Sequence, residues 1–303
     1  MAPFSRRRVD GVLLLDKPTG TTSTAALSRV KRLYNAEKAG HTGTLDPLAS
    51  GLLPICLGHA TRFAGMLLDA PKRYVATIRF GIATTTYDAE GVVTATQAVT
   101  FDEARLRETM GRFTGPQLQV PPAHSALKFK GRPHYEYARA GIEVPRPPRH
   151  VVIHAMRLVE WNAPDARVEV ECSKGTYIRS LASRLGEELG CGAHLFALRR
   201  IGTGGFAVGQ SVTFEALEPL EAPARDRLLL PTATLVAHLP RVELGSAAAG
   251  SFRHGRRIAL DGATGPPDSA ISAAAFEGDV LLGIGELRNG VLCPHRVLAG
   301  DST

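Results

Sequence analysis

"RVEVECSKGTYIRSLASRLGEELG", residues 167–190, holds two periodicities in one short span. Val168, Val170 and Cys172 alternate with Arg167, Glu169 and Glu171, the period-2 pattern of a strand with one buried face. After Lys174-Gly175 the period changes. Ile178, Leu181, Leu185 and Leu189 recur as the inward stripe of a helix, and Gly190 supplies its stop. A half-buried strand that turns directly into an amphipathic helix predicts a sheet covered by helices. Polarity that alternates along the strand favours antiparallel or mixed pairing over a purely parallel sheet.

Other segments extend this reading. "RYVATIRFG", residues 73–81, places Tyr74, Ala76, Ile78 and Phe80 on one face of a second half-buried strand. "GVLLLDKPTGTTSTAALSRVKRLY", residues 11–34, reads as a buried strand, a Pro-Gly turn and a helix capped by Ser23, with Leu27, Val30 and Tyr34 inward. In "TFDEARLRETMGRFTG", residues 100–115, Thr100 and Glu103 have capping-box spacing ahead of Leu106, Met110 and Phe113. "HYEYARAG", residues 134–141, reads as a short helix ended by Gly141, and the proline-rich "EVPRPPRH" as a connector. Beyond "LLLPTATLVAHLP" the chain turns to short β-like runs such as "DVLLGIGEL" and "GVLCPHRVL". The expected architecture is α/β of the α+β type: a central mixed, largely antiparallel sheet flanked by helices over residues 1–240, then a small β domain over 241–303.

The 303 residues are 44% hydrophobic and 21% charged, ordinary for a globular chain with a real core. No apolar run approaches the ~18–20 residues of a spanning helix. Val12 to Leu15 is too short for a signal peptide and runs into Asp16 and Lys17, so the expectation is a cytoplasmic protein without membrane association. Cys56, Cys172, Cys191 and Cys293 form no C-x-x-C pair, and no histidines sit at zinc spacing; reduced structural thiols and no metal site are expected. The formal net charge is +7, and of 36 basic residues seven are lysine and 29 arginine. Arginine's planar fork suits phosphate, so a polyanionic partner is expected.

"AGHTGTLDPLASGLLPICLG", residues 39–58, contains one carboxylate, Asp46. An Asp before proline is often only a turn former. Yet Gly43, Thr44 and Pro47 would hold this side chain in one orientation, as a nucleophile or base requires. A glycosidase would need a second carboxylate, for which Asp88 and Glu90 in "YDAEG" are available.

Five stretches together resemble the TruB family, the bacterial tRNA pseudouridine(55) synthases. They are "GVLLLDKPTGTTS", "KAGHTGTLDPLASGLLPICLGHATR", "KRYVATIRFG", "PPAHSALKFKGRPHYEYARAG" and "CSKGTYIRSLASRLGEELGCGAHLFALRRIGTGGF", in family order across about residues 11 to 206. From Val242 onward the likeness is weaker and is to the family's PUA-like RNA-binding domain. The resemblance implies isomerisation of a flipped uridine in the tRNA T-loop, without cofactor or metal, by a lone chain with no obligate protein partner, expected to be a monomer. It makes Asp46 the catalytic aspartate. The leaving uracil stays bound and re-attacks through C5, so a second carboxylate is not needed. Arg179 matches the arginine beside that aspartate. Tyr74 matches the tyrosine stacked on the flipped base, Tyr177 a tyrosine at the target nucleotide, Leu198 the position at the uracil edge, and His41 the histidine near the displaced base. Lys17 and Pro18 match a "KP" near the cleft. Asp88 is expected to orient Arg179, and Arg139 with it, through charge-assisted bonds. His124 stands where the family commonly has an aromatic. "HSALKFKGRPHYEYAR", basic with interleaved aromatics, is the expected RNA surface, with contacts that weaken as salt rises. Two other readings of the same scaffold are a non-catalytic tRNA-binding or folding module and a guide-RNA-dependent synthase within a larger particle.

Overall fold

The computed structural model describes residues 6–260 and 270–298. Its first half lays down β1 (Gly11–Lys17), α1 (Ser23–Leu33), β2 (Ala39–His41), β3 (Ala49–Leu57), α2 (Ala64–Asp69) and β4 (Lys72–Phe80). Then come a short hairpin of β5 (Ile82–Thr84) and β6 (Val93–Thr96), α3 (Glu103–Arg112) and β7 (Gly115–Gln119). A second small hairpin, β8 (Lys128–Phe129) and β9 (Arg132–Pro133), leads into α4 (His134–Arg139). The long strands β10 (Arg149–Asn162) and β11 (Asp165–Cys172) precede α5 (Ile178–Glu188), β12 (Ala193–Thr203) and β13 (Phe206–Ala207).

These strands form a nine-stranded sheet with the order β1-β3-β12-β4-β11-β10-β7, to which β2 and β13 attach. Every pairing is antiparallel except β3 with β12. This is the mixed, largely antiparallel sheet that the alternating strands predict. Tyr74, Ala76, Ile78 and Phe80 are all buried, as are Val168, Val170 and Cys172, so the period-2 readings place the core face correctly. Helix α5 buries Ile178, Leu181 and Leu185 against that face.

Two helix starts differ from the sequence expectation. The cap of α1 is Thr22, whose side chain accepts from the Ala25 amide. Ser23 is drawn inward to a buried loop instead. The cap of α3 is Asp102, accepting from the Arg105 amide, and not Thr100. In both cases several short polar residues precede the helix, and any one of them can cap it.

Residues 241–298 carry a five-stranded sheet made of β14 (Arg241–Glu243), β15 (Ile258–Ala259), β16 (Ile271–Glu277), β17 (Val280–Arg288) and β18 (Val291–Val297). The C-terminal part of the 241–303 expectation, residues 299–303, and the segment 261–269 lie outside the described residues. A hydrophobic cluster joins the two sheets: Val12, Leu14, Leu52 and Phe63 pack with Phe276, Leu281 and Ile284. Arg62 and Arg296 clasp the join, Arg62 donating to the Val297 carbonyl and Arg296 to the Arg62 carbonyl.

The contact of β3 with β12 is unusually close at Gly51. This residue has φ +101°, and a Cβ placed on it would lie 2.3 Å from the Arg200 carbonyl oxygen. Both the left-handed backbone and the backbone neighbour oppose a side chain there. Gly51→Ala is expected to lower unfolding stability by about 2–4 kcal/mol, seen as a reduced urea midpoint at an unchanged m-value.

Candidate active site

Asp46 lies in the loop between β2 and β3, and three separate segments pin that loop through its main chain. The Ser23 hydroxyl both accepts from the Leu45 amide (2.8 Å) and donates to the Leu45 carbonyl (2.9 Å). The Gly20 amide donates to the Pro47 carbonyl (2.8 Å), and Arg200 donates to the Gly43 carbonyl (3.1 Å). A further bond within the loop, from the Ala49 amide to the Asp46 carbonyl, closes the turn. The carboxylate is therefore oriented by bonds to the backbone on both sides of it, while its own oxygens remain available.

The Asp46 side chain is 38% exposed and faces Arg179, which is only 5% exposed. Arg179 Nε lies 2.9 Å from Asp46 Oδ2 without the alignment of a hydrogen bond, so the contact is an ion pair. The rest of the guanidinium is occupied. One nitrogen sits 3.5 Å from the buried Asp88 carboxylate and donates to the Thr86 carbonyl, and another donates to the His124 carbonyl at 2.8 Å. Asp88 is itself held by the Thr86 hydroxyl and the Glu90 amide. A cation near a helix N-terminus is disfavoured by the helix dipole, and here two carboxylates offset that. The His124 contact uses its main chain, so the side-chain departure at this position does not alter that bond.

A cleft of about 310 Å³ opens beside this pair, and Asp46 is the one carboxylate among the described residues lining it. Tyr74, Tyr177, Arg179 and Leu198 line it too. Tyr74 is 9% exposed on β4, and burial pushes its phenol up, with the nearby Arg200 charge acting in the opposite direction. Burial also raises the Tyr177 phenol. The backbone of Tyr177 is clamped by the Gln119 amide group, which donates to its carbonyl and accepts from its N–H. Leu198 sits mid-sheet, in register with Ala49 on one side and Ala76 on the other.

His41 and Lys17 lie behind the lining. His41 ends β2, and burial, helped by Arg200, holds its imidazole below the usual range. Lys17 is fully buried and donates to the Pro18 and Thr21 carbonyls. Arg139 does not join the group: it stacks over Tyr135 at 5.4 Å and makes no ion pair with Asp88. It belongs to α4 and is committed to that helix's own Tyr135 ring, so the expectation of an Asp88–Arg139 bond is corrected.

Two cations in the lining escape the sequence reading. Lys72 donates to the carbonyls of Leu67, Leu68 and Ala70 at the end of α2. Arg200 is 1% exposed and donates to the Leu52 carbonyl as well as to Gly43. The strand alternation carries a signal for Arg200: in "FALRRIG" it falls on the same face as Leu198, an odd place for a charge. Among the described residues no cluster of His, Cys, Asp and Glu could hold a metal ion, and no helix is long and apolar enough to cross a membrane.

Comparison with known proteins places this chain in a class. Three family models tile the chain: the TruB family pseudouridylate synthase N-terminal domain over residues 31–178, the tRNA pseudouridylate synthase B C-terminal domain over 179–237, and the pseudouridine synthase II TruB C-terminal region over 240–298. A chain in the crystal structure of a Cbf5-Nop10-Gar1 complex matches with a TM-score of 0.72 at 28% identity, covering 95% of this chain and 84% of that one. A chain of an archaeal box H/ACA sRNP Nop10-Cbf5 complex matches at 0.73 with 26% identity, covering 96% and 86%. The scaffold is that of a pseudouridine synthase. Tighter likeness comes from tRNA pseudouridine synthase B of Thiobacillus denitrificans, 51% identical over 97% of this chain and 98% of the relative, and from that of Chromobacterium violaceum, 48% identical over 98% and 97%. The chain belongs to the TruB family.

Burial lowers Lys17 and Lys72 from 10.5 to about 8. A lysine whose folded value lies below its unfolded one opposes folding fully below pH 8, and the penalty is relieved as pH climbs from about 8 to 10.5. Nitrogen-15 NMR of the lysine side chains is expected to show two of the seven titrating near pH 8, with their contribution to stability rising over that window.

Proposed function

We propose that this chain isomerises uridine to pseudouridine at position 55 in the T-loop of tRNA. The N1–C1′ bond of the target nucleotide breaks, the uracil turns in place, and C5 joins C1′. The C5 proton is lost and N1 gains one, so product and substrate have the same atoms and no cofactor is consumed. Asp46 supplies the reacting carboxylate, which adds to C1′ in a route through an acylated ribose or takes the C2′ proton in a route through a glycal. Both routes use the same side chain.

The observation that carries this reading is the pinned Asp46 carboxylate, reachable from the cleft and paired with the buried Arg179 at 2.9 Å. Among the described residues the cleft lining supplies one carboxylate and no second one for water activation, which supports isomerisation over glycoside hydrolysis. Tyr74 offers a ring on which an everted pyrimidine stacks, worth ~1–3 kcal/mol toward the cost of flipping. Tyr177 and Leu198 border the base, with His41 and Lys17 outside that lining.

The tRNA T-arm is gripped in part by the segment around α4. There Arg132 lies over Tyr137 at 5.3 Å and Tyr137 packs edge-on against Phe129 at 5.9 Å. The C-terminal sheet, in a domain spanning 241–303, adds a PUA-like RNA-binding surface. The protein works in the cytoplasm as a monomer without a protein partner.

Asp46→Asn is expected to reduce pseudouridine formation on unmodified tRNA transcript by at least about 1000-fold, with tRNA binding retained. Mapping of pseudouridine at nucleotide resolution reads both the loss and the position. Modification by the Asn variant would favour a non-catalytic role for this carboxylate, and an inactive parent chain on bare transcript would favour dependence on a guide RNA. Asp88→Asn, which leaves Arg179 facing a single charge, is expected to lower kcat about tenfold at unchanged KM.

A further inference from the structure

We propose that Arg200 is a positioning residue for this isomerisation, tying the turn that carries Asp46 to the strand that carries Tyr74. The inference rests on the uridine-isomerase reading and extends it to a side chain that no motif assigned.

The geometry supports it at three points. Arg200 lies on β12 in register with Gly51 of β3 and Tyr74 of β4, so its side chain leaves the sheet on the same face as Tyr74. Its Nε donates to the Leu52 carbonyl at 2.7 Å and one terminal nitrogen donates to the Gly43 carbonyl at 3.1 Å, three residues ahead of Asp46. Both residues line the same cleft, and the guanidinium charge opposes the upward push of burial on the Tyr74 phenol. One planar group, carried on the strand that pairs with β4 at Tyr74, therefore bonds to the segment bearing the reacting carboxylate. The fork of a guanidinium can hold several acceptors at fixed angles, which a flexible ammonium cannot.

The charge is the second argument. Arg200 is 1% exposed, and among the described residues no carboxylate lies within 4 Å of it. Burying a cation without a counter-ion is costly, and carbonyl acceptors offset only part of that. Such a group persists where the fold gains something other than stability from it. Here the charge borders a cleft in which the uracil leaves its sugar with the bonding electrons, and a fixed cation lowers the energy of that charge build-up. Arginine cannot relieve the strain by losing its proton, so the field is permanent.

The test uses Arg200→Lys and Arg200→Met in the full chain, each checked for folding by its thermal midpoint. In Arg200→Met the single-turnover rate on unmodified tRNA transcript is expected to fall on the order of 100-fold while tRNA Kd moves less than about threefold. Arg200→Lys, which keeps the charge but loses the fork, should fall between this variant and the parent. The imidazole of His41, held down by burial and by Arg200, adds a readout that packing alone would not move. Its NMR titration midpoint should rise in the Met variant and stay in place in the Lys variant. Folded variants that convert uridine at the parental rate, or whose loss of rate follows a loss of tRNA affinity, would overturn the proposal. An inactive Asp46→Asn beside fully active Arg200 variants would leave the isomerase reading standing and remove only this inference.

Discussion

Arg179 is where four separate pieces of the chain meet. Its guanidinium joins helix α5 to the Asp46 loop, to the Thr86–Asp88 turn and to the backbone at His124. With its side chain 5% exposed, the cation would be unfavourable without those partners, and Asp88 would be a buried anion without it. Removing Arg179 leaves Asp88 an uncompensated buried anion, at a cost of about 3–5 kcal/mol, whereas removing Asp88 leaves Arg179 its pair with Asp46. The same contacts that satisfy the charge determine where the Asp46 carboxylate stands. Structural and chemical demands thus coincide in one side chain.

Around that centre the loop holding Asp46 shows how a reactive carboxylate can be oriented without being consumed. Its fixing bonds go to Leu45, Gly43 and Pro47 main-chain atoms, from Ser23, Arg200 and Gly20. A hydrogen bond to the carboxylate itself would compete with attack on a sugar carbon. Bonds to the backbone avoid that competition and, among the described residues, leave the Arg179 ion pair alone on the oxygens. This also accounts for the uncharged composition of the stretch, since glycine, threonine, leucine and proline provide the backbone geometry and no rival charges.

Much of this was legible from residue order, though not all of it. The strand at 73–81 and the strand–helix pair at 167–190 gave their faces directly, because period 2 and period 3.6 survive any tertiary context that buries one side. Caps were harder. Thr22 and Ser23 are adjacent and chemically alike, and the choice between them depends on Leu45, a residue distant in sequence whose backbone claims Ser23. The Asp46–Arg179 pair came through family resemblance and not through spacing, for nothing local joins positions 133 residues apart. Arg139 shows the opposite failure: a basic residue near the right motif, turned to a neighbouring ring. Arg199 and Arg200 are adjacent and chemically alike, and only strand alternation separates them in the sequence. In the fold Arg199 reaches Asp16 on the more open face and only Arg200 is enclosed.

Strand β1 carries an implication for how the molecule lives and dies as a unit. Its Leu13 and Leu15 belong to the core under the helices, and its Val12 and Leu14 belong to the cluster shared with the C-terminal sheet. A run of four apolar residues therefore serves as a party wall with a tenant on each side. Neither module can loosen without exposing the other's flank, so the tail is less an appendage than the far bank of the same structure. Exchange of the tail between relatives would have to respect every side chain along that wall.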